Sequence, residues 1–284
     1  LSLHDALPIF MLTPAGEVLL KRTAHLENEL NDVRREVARF SIGLVGHLKI
    51  ACMHPLSSQL MPNVLVRYRA EHPNIALSLD ERYSGDIVED LLSRRLDLAI
   101  VDAPNHSHAD LTIFSVWKEA VHLFGPAAGR SARLAETVNM KDILDLPIIM
   151  PSNISALRGT VDRAFVRAGG HFAPVIEANG PAMIFSMVAA GLGFGLMPLC
   201  SFYDHVVDGT LASVPTDPQI WRKISIVTRT ELLEERPVSA LFDLLRECAL
   251  DLAETDRFAS VTPLFTRASL TPPDLLNAQH HVAT

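Results

Sequence analysis

The sequence predicts an α/β protein of two lobes standing behind a long N-terminal helix, and three observations predict it. Leu19, Leu26, Val33 and Phe40 repeat every seven residues, with no proline between Pro14 and Pro55. Short apolar runs then alternate with helical periods in the order βαβαβ, once from about residue 48 and again from about residue 146. Two β-rich segments, 117–123 and 221–228, connect these halves, so the chain leaves the first lobe and later returns to it. Two crossings of this kind make a hinge.

The helix begins at Thr13, which can cap it, with Pro14 suited to the first helical position, and it is expected to end near Gly43 or Gly46. A second line of apolar positions, Thr23, Leu30 and Val37, runs beside the first and completes an a/d seam. Arg22, Glu27, Glu29, Arg34 and Glu36 flank it, where charges pair across two helices. A single periodic helix is more often packed on its own domain. This one is too long for so narrow a stripe, so Leu19, Leu26, Leu30, Val33, Val37 and Phe40 are read as a dimerisation seam over residues 13–45.

Residues 48–53 read as a buried strand and 57–70 as a helix carrying Leu60, Val64 and Tyr68 on one face, with Pro62 in its first turn. Ile75, Leu77 and Leu79 alternate as a strand; residues 87–93 form a second helix and 96–101 a third strand. This first lobe takes residues 46–118 and, after the return, 225–256. The second lobe, 119–224, holds a strand at 148–150, a helix with Leu157, Val161 and Phe165 closed by Gly169 and Gly170, a strand at 175–178, a helix at 182–190 and a strand at 194–197. Residues 236–253 form a terminal helix on the first lobe. From Arg257 onward, Pro263, Pro272 and Pro273 interrupt any period, so 257–284 is expected to be a poorly ordered tail.

Composition narrows the function. With 48% hydrophobic and 20% charged residues among 284, the chain can bury a sizeable core and is not disordered. A net charge of -8 argues against a surface that holds nucleic acid by phosphate neutralisation alone. Cys52, Cys200 and Cys248 lie far apart with no metal-ligand spacing; they read as buried small hydrophobes in a reducing cytoplasm, and nothing favours a redox pair. No apolar run approaches a membrane span, and residues 1–10 lack a signal-peptide pattern. No catalytic motif is present, so no enzymatic activity, metal or cofactor is expected. Gly191-Leu192-Gly193-Phe194-Gly195 follows a helix and opens a strand, the reverse of a dinucleotide loop, so Gly191 is read as a helix C-cap. His106 and His108 read as part of a solvated loop.

Four strings, in order along residues 12–250, resemble LysR-type transcriptional regulators: Leu12-Thr13-Pro14-Ala15-Gly16, Gly46-His47-Leu48-Lys49-Ile50, Leu96-Asp97-Leu98-Ala99-Ile100-Val101 and Val188-Ala189-Ala190-Gly191-Leu192-Gly193. Met150-Pro151-Ser152 followed by Leu157-Arg158 further resembles the branch typified by the nitrogen assimilation control protein. The resemblance implies a linker helix followed by a two-lobed periplasmic-binding-protein-like (type 2) effector domain. Arg94 departs from it, standing where the family usually places a glycine in a left-handed cap. The start departs further: the winged helix-turn-helix is expected to be largely absent, with residues 1–12 a remnant of its wing behind a leader that resembles translated sequencing adapter.

For a ligand site, Pro55-Leu56-Ser57-Ser58 and Pro151-Ser152-Asn153 each follow a buried strand and open a helix. Helix N-termini offer unpaired N–H groups, and ligands collect beyond the carboxyl ends of strands in open α/β sheets. Each serine alone is more simply a helix cap. Their duplication in both lobes favours a carboxylate or other small anion held between Leu56, Ser57, Ser58, Ser152 and Asn153. The resemblance adds Asp102, Ser155, Asn179 and Gly180, and leaves Arg158 open between effector and exposed carboxylates. The reading is a regulator that binds a small anionic effector, assembles as a homodimer or homotetramer, and meets promoter DNA only in the full-length protein. The alternative is a solute-binding protein that delivers a ligand to a transporter.

Overall fold

A computed structural model describes residues 12–38, 46–83, 87–104, 108–127 and 136–270 of the chain. Helix α1 (Pro14–Ala38) opens as its sequence dictates: Thr13 Oγ1 accepts the Gly16 N–H at 3.1 Å, satisfying one of the first-turn donors. Leu19, Leu26, Leu30 and Val33 are 68%, 63%, 59% and 53% exposed, so this stripe is not covered by the rest of the chain. Phe40, the side chain of Val37, the expected helix end near Gly43 and residues 1–11 lie outside the described residues.

The first lobe runs β1 (Gly46–Cys52), α2 (Leu56–Gln59), α3 (Met61–Glu71), β2 (Ile75–Glu81), α4 (Ile87–Leu92) and β3 (Leu98–Asp102). β1 pairs in parallel with both β2 and β3. The expected single helix over 57–70 is broken at Leu60, because Pro62 in the first turn of α3 has no N–H to continue the bonding of α2. At the end of α4, Arg94 has φ 61° while Arg95 N donates to Asp90 O at 2.8 Å. It is a left-handed helix cap built without glycine.

Strand β4 (Leu111–Pro126) then crosses into the second lobe, which comprises β5 (Val138–Asn139), α5 (Met140–Ile143), β6 (Ile148–Met150), α6 (Ala156–Arg167), β7 (Ile176–Glu177), α7 (Pro181–Ala189), β8 (Phe194–Pro198) and α8 (Tyr203–Val207). β9 (Leu211–Arg229) crosses back, and α9 (Arg236–Ala253) and β10 (Val261–Pro263) close the first lobe. Gly191 ends α7 at φ +81° with Leu192 N donating to Met187 O at 3.1 Å, so it is the expected cap. Beside it, a Cβ on Gly193 would lie 2.3 Å from Pro147 O, which fixes glycine where β8 enters against β6.

The strands form one network in the order β2-β1-β3-β9-β4-β8-β6-β7, with β10 on β4 and β5 on β9. Three separate cores lie along β4 and β9, one of them joining Leu111 and Val227 to α4 and β3. Val116, Trp117, Ile224 and Ile226 pack with β1, α3 and α9; Val121, Leu123, Phe124 and Ile220 pack with β6, α6 and α7. The division falls where β4 and β9 change register, between Ser115 and Trp117 and between Val121 and His122.

The tail differs from expectation. Phe258 is fully buried, β10 pairs antiparallel with β4, and Phe265 stacks edge-on against Phe114 at 5.0 Å. Isolated aromatic anchors, which bury large area without any period, hold residues 257–270 on the first lobe; residues 271–284 lie outside the described set. Cys52, Cys200 and Cys248 are free and buried, and burial pushes all three thiols upward. Among the described residues no helix is long and apolar enough to cross a membrane.

Candidate functional site

Between the lobes, at the carboxyl ends of strands from both, lies a cavity of about 220 Å³. The first lobe lines it with Met53 and His54 beyond β1, Glu81, Arg82 and Tyr83 at the end of β2, and Asp102 at the end of β3. The second lobe supplies Pro151, Ser155, Asn179, Gly180 and the end of β8, and Arg222 enters from β9. This is the place where an α/β sheet gathers ligands: strand ends converge there and leave backbone polar groups without a strand to continue them.

Arg222 is the electrostatic centre. Its side chain is 4% exposed; Nε donates to Glu119 Oε2 at 2.6 Å, and Nη1 stands 3.8 Å from Asp102 Oδ1. Glu119 also accepts Trp117 Nε1 at 2.8 Å, so its carboxylate is bound on both oxygens. Burial works against the guanidinium charge, but Glu119 and Asp102 outweigh it and hold the arginine pKa above its ordinary value. Nη2 is buried with no hydrogen-bond partner. An arginine fork with one arm occupied and another idle can grip a carboxylate oxygen once a small shift of the surrounding side chains uncovers the idle arm.

Around it the wall is mixed in charge. Glu81 accepts Ser57 Oγ and lies 3.8 Å from His54 Nδ1; Arg82 pairs with Asp80 at 3.0 Å and with Asp90. Burial lowers the His54 pKa, Glu81 raises it, and Arg222 lowers it, with a net decrease. Tyr83 Oη is buried without a hydrogen-bond partner, and burial followed by Glu81 raises its pKa.

The residues expected from sequence fall into three groups. Asp102, Ser155, Asn179 and Gly180 line the cavity. Ser57 and Ser152 stand one layer behind: Ser57 bonds Glu81, while Ser152 N and Oγ donate to Asn179 Oδ1 at 3.0 and 2.9 Å. The rest are not brought to it. Leu56 is fully buried in the first-lobe core, Ser58 Oγ turns back to Pro55 O at 2.9 Å, and Asn153 faces a different cavity. The backbone N–H groups of Ser57 and Ser58, offered as anion donors, already donate to Met53 O and Pro55 O at 3.1 Å each. Arg158 is engaged by carboxylates, Asp162 at 2.9 Å and Glu177 at 2.7 Å, and lines neither cavity.

Sequence reasoning missed Arg222, His54, Glu81, Arg82 and Tyr83. A signal existed for the first. In β9, Ile220, Arg222 and Ile224 share one parity, so a charge stands at an inward position; in β4, Trp117, Glu119 and Val121 repeat the pattern with the opposite charge.

A second and larger opening, about 1050 Å³, lies on the other side of Asp102, Ser155 and Arg222, which line both. It runs between α4 and β3 on one side and α6 on the other, with β9 at its floor. His106 lies outside the described residues, His108 Nδ1 is 3.7 Å from Asp110, and no group of three metal-ligating side chains occurs among the described residues.

Residues 41–249 match the family described as LysR substrate binding domain. The chain is similar to the HTH-type transcriptional regulator BbuR of Bordetella bronchiseptica, 26% identical over 236 residues that cover 83% of this chain and 72% of that protein. In fold it resembles the effector binding domain of QuiR in complex with shikimate, with TM-score 0.64 and 17% identity over 73% of this chain and 98% of that one. It also resembles the regulatory domain of MetR, a LysR family regulator from N. meningitidis, with TM-score 0.64 and 16% identity over 77% and 98%.

Proposed function

Since this chain belongs to the LysR family of transcriptional regulators, with its substrate-binding domain at residues 41–249, we propose that the 220 Å³ cavity holds its effector and that Arg222 grips an anionic group of that molecule. The observation that carries this reading is the buried, unpartnered Nη2 of Arg222, on a side chain that lines a cavity shared by both lobes. The effector is a small carboxylate whose remaining polar groups meet Ser155, Asn179 and Tyr83. Asp102 and Glu81 favour a ligand that also carries hydrogen-bond donors, because two carboxylates in one small cavity disfavour a molecule that is anionic throughout. The likeness to the QuiR domain, solved with shikimate, supports a carboxylate of this size.

Binding of such a molecule closes the lobes about β4 and β9, and the exposed stripe of α1 transmits that change by pairing with a second copy of the chain. Leu19, Leu26, Leu30 and Val33 support the pairing, since so many exposed large apolar side chains on one helix cost solubility unless covered. Promoter DNA is the partner the assembled regulator serves.

A thermal-shift screen against hydroxylated carboxylates and amino acids tests the effector reading. A true ligand at about a hundredfold excess over its Kd adds roughly 2.7 kcal/mol of stability. The shift should vanish in Arg222→Lys, which keeps the charge and loses the fork. A hit equally strong in that variant would remove Arg222 from the site.

A further inference from the structure

The larger cavity carries a charge pattern that the effector site shares only through Arg222 and Asp102. Arg163, Arg167 and Lys223 stand along its walls with Arg222, which is already paired to Glu119, and the one carboxylate that lines it is Asp102. Arg163 and Arg167 are one turn apart on α6, an arrangement that is mildly destabilising for like charges in water. Neither they nor Lys223 has a carboxylate partner among the described residues; Arg163 donates only to Thr160 Oγ1, at 3.2 Å. Gly159 leaves room for this: a Cβ there would lie 3.2 Å from the Arg163 guanidinium. The whole chain carries a net charge of -8, so this concentration of positive charge in one concavity is local and focuses an anion towards it.

Depth is supplied by Arg222, 5% exposed, whose unpartnered Nη2 belongs to a side chain that lines this cavity as well as the effector cavity. Exposed arginines at the rim and a buried one at the base make a graded site rather than a solvated face. We propose that this cavity is a second ligand site, built for a small anion carrying two or more negative charges, and that its occupant meets the effector at Arg222. The chemistry required is charge density with several acceptor oxygens, which a phosphate ester and a polycarboxylate both provide.

Calorimetric titration of the full chain with inorganic pyrophosphate and, separately, with citrate at matched ionic strength tests this. Saturable binding of pyrophosphate alone assigns a phosphorylated ligand, of citrate alone a polycarboxylate, and of both a site that reads charge only. Arg163→Glu should weaken the binding by about tenfold or more, and Arg163→Gln by less, whereas Arg69→Glu, an equal charge change on exposed α3, should leave it within about twofold. Absence of saturable binding by either anion overturns the proposal. Equal weakening by Arg163→Glu and Arg69→Glu also overturns it, by reducing the effect to overall charge.

Discussion

Glu119 and Arg222 face each other as cross-strand partners on β4 and β9, both buried, with the guanidinium Nε 2.6 Å from the carboxylate. Breaking a buried pair from one side leaves the other charge uncompensated, at about 3–5 kcal/mol. Glu119→Gln should therefore cost about 3 kcal/mol in urea denaturation. The double variant Glu119→Gln with Arg222→Met should cost less than the sum of the two single changes. Additive losses would show that the two side chains act independently.

His122 sets a pH dependence. The residue is 8% exposed with Nδ1 unpartnered, and burial lowers its pKa to about 4. The unfolded chain takes up this proton at about the ordinary 6.5, the folded chain only near 4, so between those values the unfolded state binds more protons and stability rises with pH. Of the order of 3 kcal/mol present above pH 6.5 is lost as the pH falls to about 4. Chemical denaturation at steps across that window should give a slope that His122→Leu flattens. An unchanged slope in the variant would assign the acid sensitivity elsewhere.

Arg94 tests the cost of a left-handed residue. Its φ of 61° disfavours any side chain by about 1–2 kcal/mol, while glycine carries an entropy cost of about 0.5–1 kcal/mol and the exposed contact to Glu231 at 3.4 Å is worth little. Relief of strain wins, so Arg94→Gly should equal or exceed the parent in stability. Arg94→Val should lose about 1 kcal/mol, because a β-branched side chain fits that region worst. A glycine variant less stable than the valine one would contradict this account.

Phe258 tests whether the segment after α9 belongs to the domain. It is fully buried and lies 5.6 Å from Trp117 in an edge-to-face contact. Phe258→Ala should cost about 3–5 kcal/mol, as large core truncations do. A loss under about 1 kcal/mol in a thermal melt would mean the segment is dispensable.

Alternation and helical period made the lobes legible. β1, β3, α6 and α9 follow from apolar runs and caps that tertiary packing had no reason to override. The strand Val261–Pro263 was not legible, because it is held by pairing with distant β4, and the short helix Met140–Ile143, though capped by Asn139 Oδ1 accepting the Lys141 N–H, is too short to show a period. At the candidate site, Asp102 and Asn179 were reachable only through the family resemblance, since nothing in their local pattern marks them. Ser58 and Leu56 were not separable from them, because a helix start looks the same in sequence whether its N–H groups are idle or, as here at Ser57 and Ser58, already bonded to Met53 and Pro55.

Pairing from Leu111 to Pro126 on β4, interrupted at two register breaks, ties the halves along most of β9, so they cannot slide past one another. What remains is rotation at the two register breaks, and the Glu119–Arg222 contact sits between them. A molecule that tugs this guanidinium pushes at the fulcrum rather than at the rim. Atomic displacements too small to notice locally would swing the outer helices through a wide arc, so a gear ratio, more than a large footprint, would set how far the halves turn.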